Sequence, residues 1–258
     1  MPETKNELDE QYIKEYFRSG AYAGIFEPEE EGERGEKLDI RERLDIIDFT
    51  EPEGKTVLDI GTGKGRLAIS FALAGAKRVI GMDISWEMLR IAEERAKATG
   101  VADTTSFELG DAENLKYEDE SFDIVCCIGV FSFLPPHRGM SEFARVCKHG
   151  GMVVVNMANA DYHYAAERVQ NLITRSRTIY LLLTAIYFSR LLTPLRTKLC
   201  QVYGLPLIRT QTSPKILTKK YTKKEFLSFF QGAGLRIEKV NEYGGRIPCR
   251  FLVFGSKP

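Results

Sequence analysis

The stretch Val57-Leu58-Asp59-Ile60-Gly61-Thr62-Gly63-Lys64-Gly65 is the most informative in this 258-residue chain. A short apolar strand enters a glycine loop, and an amphipathic helix leaves it. Glycine allows both a tight turn and a close approach of backbone to a ligand. The helix that follows offers unpaired amide donors at its N-terminus. A phosphate-cradling P-loop would need Ser or Thr after the lysine, and Gly65 follows Lys64. A dinucleotide fingerprint would need glycine where Arg66 stands. What is left is a GxGxG loop after an Asp-bearing strand. Taken by itself, that loop also fits a tight strand-to-helix turn with no ligand.

Working outward, short apolar runs alternate with amphipathic helices. Strands are expected at Thr56–Ile60, Arg78–Asp83, Ser106–Leu109, Phe122–Gly129 and Met152–Met157. Helices are expected at Gly65–Ala74, Trp86–Gly100 and Arg138–Cys147, the last ended by Gly150-Gly151. Upstream, Glu7–Arg18 and Leu38–Phe49 carry helical spacing. Downstream, Thr222 and Glu225 fit a capping box that opens a helix. Leu235–Val240 and Arg250–Gly255 then read as two closing strands. This order predicts an α/β fold, a mostly parallel sheet of seven strands with helices on both faces. We read 1–258 as a single domain. Residues 1–50 form a helical lid, 51–160 the ligand-binding core, 161–220 a helical cap, and 221–258 the closing helix and strand pair.

Asp83 ends the second strand about twenty residues after the glycine loop, where an acid can accept both hydroxyls of a ribose. Asp111 and Ala112 follow the third strand, where a carboxylate can accept from the exocyclic amine of adenine. Each acid alone fits an ordinary loop carboxylate. Together they mark the edge at which open α/β sheets bind ligands.

VLDIGTGKG, GMDIS, GDAENL, SFDIVCCIG and ARVCKHGG resemble the successive motifs of class I S-adenosylmethionine-dependent methyltransferases over roughly Lys55–Asn156. The likeness is to the small-molecule branch that includes ubiquinone/menaquinone methyltransferases. Cys147 and His149 stand where that branch usually has Leu and Pro. The resemblance implies a Rossmann-like three-layer sandwich on a mostly parallel seven-stranded sheet, with an antiparallel last strand and a helical lid insertion, and it implies S-adenosylmethionine as cofactor, leaving as S-adenosylhomocysteine. It also implies roles. Gly61, Thr62 and Gly63 would pass the methionine portion, and Asp59 would orient the loop and the amino group. Asp83 would hold the ribose, with Ile84 and Met88 beside the adenine. Asp111 and Ala112 would clamp the adenine edge, and Ile128 and Gly129 would run beside the sulfonium. Tyr12, Tyr16 and Tyr22 would belong to a lid.

Lys plus Arg equals Asp plus Glu at 36 each, which excludes a uniformly basic, anion-collecting surface. The charge is uneven, however. Between Asp161 and Lys224 there are twelve Lys and Arg against two acids. The same segment holds Tyr180, Leu181, Leu182, Leu183 and Phe188. It fits either a cap with its apolar face buried or a cover for a lipophilic acceptor, with peripheral membrane contact through 175–200. Its longest apolar run, Ile179–Leu192, is too short to span a bilayer. The five cysteines form no CxxC pair, so neither a zinc site nor another metal is expected, and the chain reads as cytoplasmic. No NPPY-type run and no RNA-binding appendage favours a nucleic-acid substrate, so the expected partner is a small molecule. A general base is required only for a protonated acceptor, and His163 and His137 are the candidates. An RNA or protein methyltransferase, or a non-catalytic cofactor-binding protein, are the alternatives. Oligomeric state has no signature in the sequence.

Overall fold

The computed structural model describes residues 14, 15, 18, 19, 33–158, 160, 221–244 and 248–258, with backbone alone at 33–41, 244, 248 and 249. The expected cap at 161–220, with His163, lies outside the described residues, as do Tyr12, Tyr16 and Tyr22.

Five α-helices, one short 3-10 helix (Phe131–Phe133) and seven strands are described: α1 (Glu33–Thr50), β1 (Thr56–Ile60), α2 (Arg66–Leu73), β2 (Arg78–Asp83), α3 (Trp86–Ala98), β3 (Thr105–Leu109), β4 (Phe122–Cys127), α4 (Pro136–Val146), β5 (Cys147–Ala158), α5 (Lys223–Gly232), β6 (Arg236–Gly244) and β7 (Pro248–Ser256). The strands form one sheet in the order β3-β2-β1-β4-β5-β7-β6. β1 pairs in parallel with β2 and β4, β2 with β3, and β4 with β5. β7 is antiparallel to both of its neighbours, so it is the one reversed strand.

Both faces of the central strands are buried, as a parallel sheet sandwiched between helices requires. The period-two alternation sorts the side chains. Val57, Ile124, Val154, Leu252 and Phe254 face Ile46 of α1 and Leu67 and Phe71 of α2. Leu58, Val125, Val153, Phe251 and Val253 face Met140 and Phe143 of α4 and Phe226 and Phe230 of α5. α5 opens with the expected capping box: Glu225 N–H donates to Thr222 Oγ1 at 3.3 Å, and Thr222 N–H donates to Glu225 Oε2 at 2.8 Å.

Several boundaries depart from the sequence reading: α1 starts at Glu33, before the expected Leu38, and β6 runs on past Val240 to Gly244. Gly150-Gly151 does not terminate a helix before the strand; it lies inside β5, which already starts at Cys147. Cys147 pairs with Phe122 and Met152 with Ile124, so the strand bulges across the glycine pair instead of breaking there. β4 stops at Cys127, leaving Ile128 and Gly129 in the following loop. No helix among the described residues is long and apolar enough to cross a membrane.

Candidate active site

The parallel strands all end on one edge, and the loops leaving β1, β2, β3 and β4 there enclose a cleft. Gly61 and Gly63 line it from the first loop. Gly61 and Thr62 both donate their N–H groups to Met82 O, at 2.7 and 3.0 Å, which ties the loop to the end of β2. Gly61 has φ +70°, and a Cβ there would lie 2.2 Å from Val130 Cγ2. A glycine is therefore required both by the turn and by the side chain packed against it.

Asp83 stands at the end of β2. Its Oδ2 accepts Gly63 N–H at 2.8 Å and its Oδ1 accepts Ser85 N–H at 2.9 Å. Burial raises its pKa above the ordinary carboxylate value, while the backbone donors at Ser85, Gly63 and Ile84 pull the other way. Ile84 and Met88 line the cleft beside it. Beyond β3, Asp111 and Ala112 form the opposite wall. Asp111 Oδ1 accepts Glu113 N–H at 3.0 Å, and its Oδ2 accepts the Lys14 ammonium at 2.9 Å. Burial works to raise the Asp111 pKa. Lys14, the Glu113 amide and Arg18 outweigh it and hold the carboxyl below its ordinary value. Lys14 also reaches Glu113 Oε1 at 2.7 Å. Ile128 and Gly129 close the far end, with Val130, Phe133 and Leu134 supplying an apolar flank.

Nine of the eleven residues expected at the cofactor thus meet around one cleft: Gly61, Gly63, Asp83, Ile84, Met88, Asp111, Ala112, Ile128 and Gly129. Two do not line it. Asp59 is 2% exposed, beneath the glycine loop. It accepts Thr62 Oγ1–H at 2.7 Å, which also turns the Thr62 side chain inward and away from the cleft. Burial pushes the Asp59 carboxyl up to about 6, against the Thr62 hydroxyl and the Ala68 N–H that stabilise its charge. Asp59 therefore shapes the loop from below.

His137 is also placed elsewhere. It lies in the first turn of α4 with its ring edge-on to Phe229 of α5, centroids 5.0 Å apart, and does not line the cleft. His149 contacts Pro258 O and Glu120 at the opposite edge of the sheet. Among the described residues, then, no histidine lines the cleft, and none form a group of three His, Cys, Asp or Glu able to hold a metal ion. Cys126, Cys127 and Cys147 are buried free thiols; burial pushes Cys147 up to about 12.

Sequence reasoning missed Lys14, Met82, Ser85, Gly110, Val130, Phe133 and Leu134. The Val130–Leu134 run carried a signal, four apolar residues of five directly after a strand end. Lys14 carried none, because 97 positions separate it from Asp111.

Residues 57–151 match the family profile described as a methyltransferase domain. Among curated proteins, the chain is 35% identical over 126 residues to methyltransferase GfsG of Streptomyces halstedii, covering 48% of this chain and 44% of that protein. It is 43% identical over 105 residues to the ubiquinone/menaquinone biosynthesis C-methyltransferase of Bdellovibrio bacteriovorus, covering 40% and 43%. The chain thus spans less than half the length of these two relatives. Among solved structures, geranyl diphosphate C-methyltransferase from Streptomyces coelicolor superposes over 100% of both chains with a TM-score of 0.62 at 12% identity, a likeness of fold.

Proposed function

We infer that this chain, a class I methyltransferase by its motifs, sheet order and matched domain, transfers the methyl group of S-adenosylmethionine to a small lipophilic acceptor. The observation that carries the reading is the convergence of Asp83, Asp111 and the 61–63 loop on one cleft at the carboxyl edge of the sheet.

The residues present fit that cofactor. Asp83 keeps acceptor capacity beyond its backbone donors at Gly63, Ser85 and Ile84 and would take the ribose hydroxyls. Asp111 would receive the adenine amine on the side where Lys14 now sits. Ile84, Met88 and Ala112 would cover the ring, while Gly61 and Gly63 allow close approach at the methionine end. When bound, S-adenosylmethionine supplies an electrophilic methyl carbon that carries its own leaving group. The chain's contribution is then position and exclusion of water, with Val130, Phe133 and Leu134 presenting apolar surface. His163, outside the described residues, is our candidate for a base where the acceptor must lose a proton.

The acceptor class rests on the apolar and basic composition of 161–220 and on likeness. Two similar proteins are named as carbon methyltransferases, one for ubiquinone and menaquinone biosynthesis and one for geranyl diphosphate. Calorimetric titration of S-adenosylmethionine and S-adenosylhomocysteine into wild type and Asp83→Ala tests the cofactor. Binding that the variant loses supports it; a folded wild type that binds neither rejects it. Prenylated phenols, soluble phenols and RNA then compete as acceptors, and turnover on RNA alone would reject the small-molecule reading.

A further inference from the structure

Opposite the adenine end, a polar network lies within an otherwise apolar layer. Asn156, 5% exposed, follows the run Val153-Val154-Val155 of β5 and lies on the face covered by α1. Its Oδ1 accepts Gly129 N–H at 2.7 Å, and its Nδ2 donates to Glu42 Oε2 of α1 at 3.2 Å. Glu42 is 1% exposed, and the same oxygen accepts Arg250 Nη1 of β7 at 2.8 Å. Buried polar side chains are retained at a desolvation penalty, and this one terminates on a cleft-lining backbone amide.

Gly129 has φ +82°, and no atom lies within 4 Å of where its Cβ would stand, so packing on that side does not set the loop. A peptide unit is planar. Fixing the Gly129 N–H therefore also fixes the Ile128 carbonyl on the other side of the same plane, and both residues line the cleft.

We propose that Asn156, held by Glu42 and Arg250, is a positioning residue that presets the Ile128–Gly129 peptide for the sulfonium end of the cofactor. This rests on the cofactor reading above. The network also makes the cleft sensitive to how α1 seats on the sheet, since Glu42 belongs to α1.

The test compares S-adenosylhomocysteine affinity, thermal midpoint and Gly129 amide exchange in wild type, Asn156→Leu, Asn156→Ser and Tyr243→Phe. Leu keeps the volume without the hydrogen bonds, and the shorter Ser serves if Leu fails to fold. Tyr243→Phe removes the hydroxyl that donates to Asp45, a second anchor of α1 that does not bond Asn156 directly. Affinity should fall about tenfold or more in both Asn156 variants, with loss of Gly129 protection, which is the scale of one hydrogen bond. Tyr243→Phe should lower the midpoint and leave affinity within about twofold of wild type. Wild-type affinity in a folded Asn156 variant, or losses that track the midpoint across all three variants, would overturn the positioning role while the cofactor reading stands. A wild type that binds no S-adenosylhomocysteine would overturn both.

Discussion

Gly61→Ala is the substitution whose outcome the geometry specifies most closely. The new Cβ would lie 2.2 Å from Val130 Cγ2, 2.9 Å from its Cβ and 3.3 Å from its Cγ1. Carbon atoms rest at about 3.5–4.0 Å, so Val130 or the loop must move by roughly 1.5 Å. Overpacking of this kind costs about 1–3 kcal/mol. Holding a non-glycine residue at a left-handed φ adds about 1–2 kcal/mol. Gly54→Ala isolates the second contribution, because Gly54 has φ +72° and nothing within 4 Å of a Cβ. For a chain of this size each kcal/mol lowers the thermal midpoint by about 2–4 °C. Gly54→Ala should therefore lose roughly 2–8 °C and keep its cofactor affinity, while Gly61→Ala should lose roughly 4–20 °C. Because Gly61 and Val130 both line the cleft, Gly61→Ala should also weaken S-adenosylhomocysteine by about tenfold or more in a calorimetric titration. Adding Val130→Ala removes both Cγ atoms and leaves the 2.9 Å approach, so the double variant should recover part of the stability and affinity. If Gly61→Ala matches Gly54→Ala in both measurements, or if Val130→Ala restores nothing, the steric account is wrong.

Three other predictions follow from the packing and charges. Thr62→Val removes the hydroxyl that donates to buried Asp59 and should destabilise by about 1–3 kcal/mol. The folded pKa of Asp59, about 6, exceeds its ordinary 3.8, so its contribution to stability is fully present below that ordinary value and is lost as pH rises through about 6. The penalty of Thr62→Val in urea melts should accordingly be larger at about pH 8 than at about pH 5, and equal penalties would count against the charged hydrogen bond. Asp123 shows the reverse sign. Burial opposes its ionisation, but the Thr56 hydroxyl and amide and the Lys148 ammonium overcome this and hold it at about 2. Its contribution is present above 3.8 and lost as pH falls towards about 2, so Asp123→Asn should flatten the acid limb of the stability curve. Phe131, fully buried with its ring 5.6 Å from Phe226 and 6.2 Å from Phe143, should cost about 3–5 kcal/mol when changed to Ala, as read by denaturant unfolding. A loss below about 1 kcal/mol would mean that the loop after β4 is not anchored by this ring.

Much of the cleft was legible because its parts are local. Asp83 ends its strand, and Gly61, Asp111 and Gly129 each follow a strand end within two residues, so strand periodicity alone brings them to one edge of a parallel sheet. Side chains that act from a distance were not legible. Lys14 reaches Asp111 across 97 positions with no periodicity to announce it. Asn156 follows a valine run and reads as one polar interruption of a buried strand until Gly129 and Glu42 are seen beside it. Asp59, the acid inside the central motif, is expected to orient both the loop and the cofactor's amino group; the alternation of β1 turns it into the layer beneath the loop, where it holds Thr62.

By itself the sequence determined which segments are strands and helices and where the glycine loop lies, since these depend on periodicity and backbone preference within a few residues; the reversal near the C-terminus was legible only through the family resemblance. Tertiary structure alone decided the strand order that inserts β7 between β5 and β6, and the strand that runs through Gly150-Gly151. It also decided which of the buried polar groups face the cleft. Those outcomes depend on contacts between distant segments, where burial and hydrogen-bond satisfaction override the local signal.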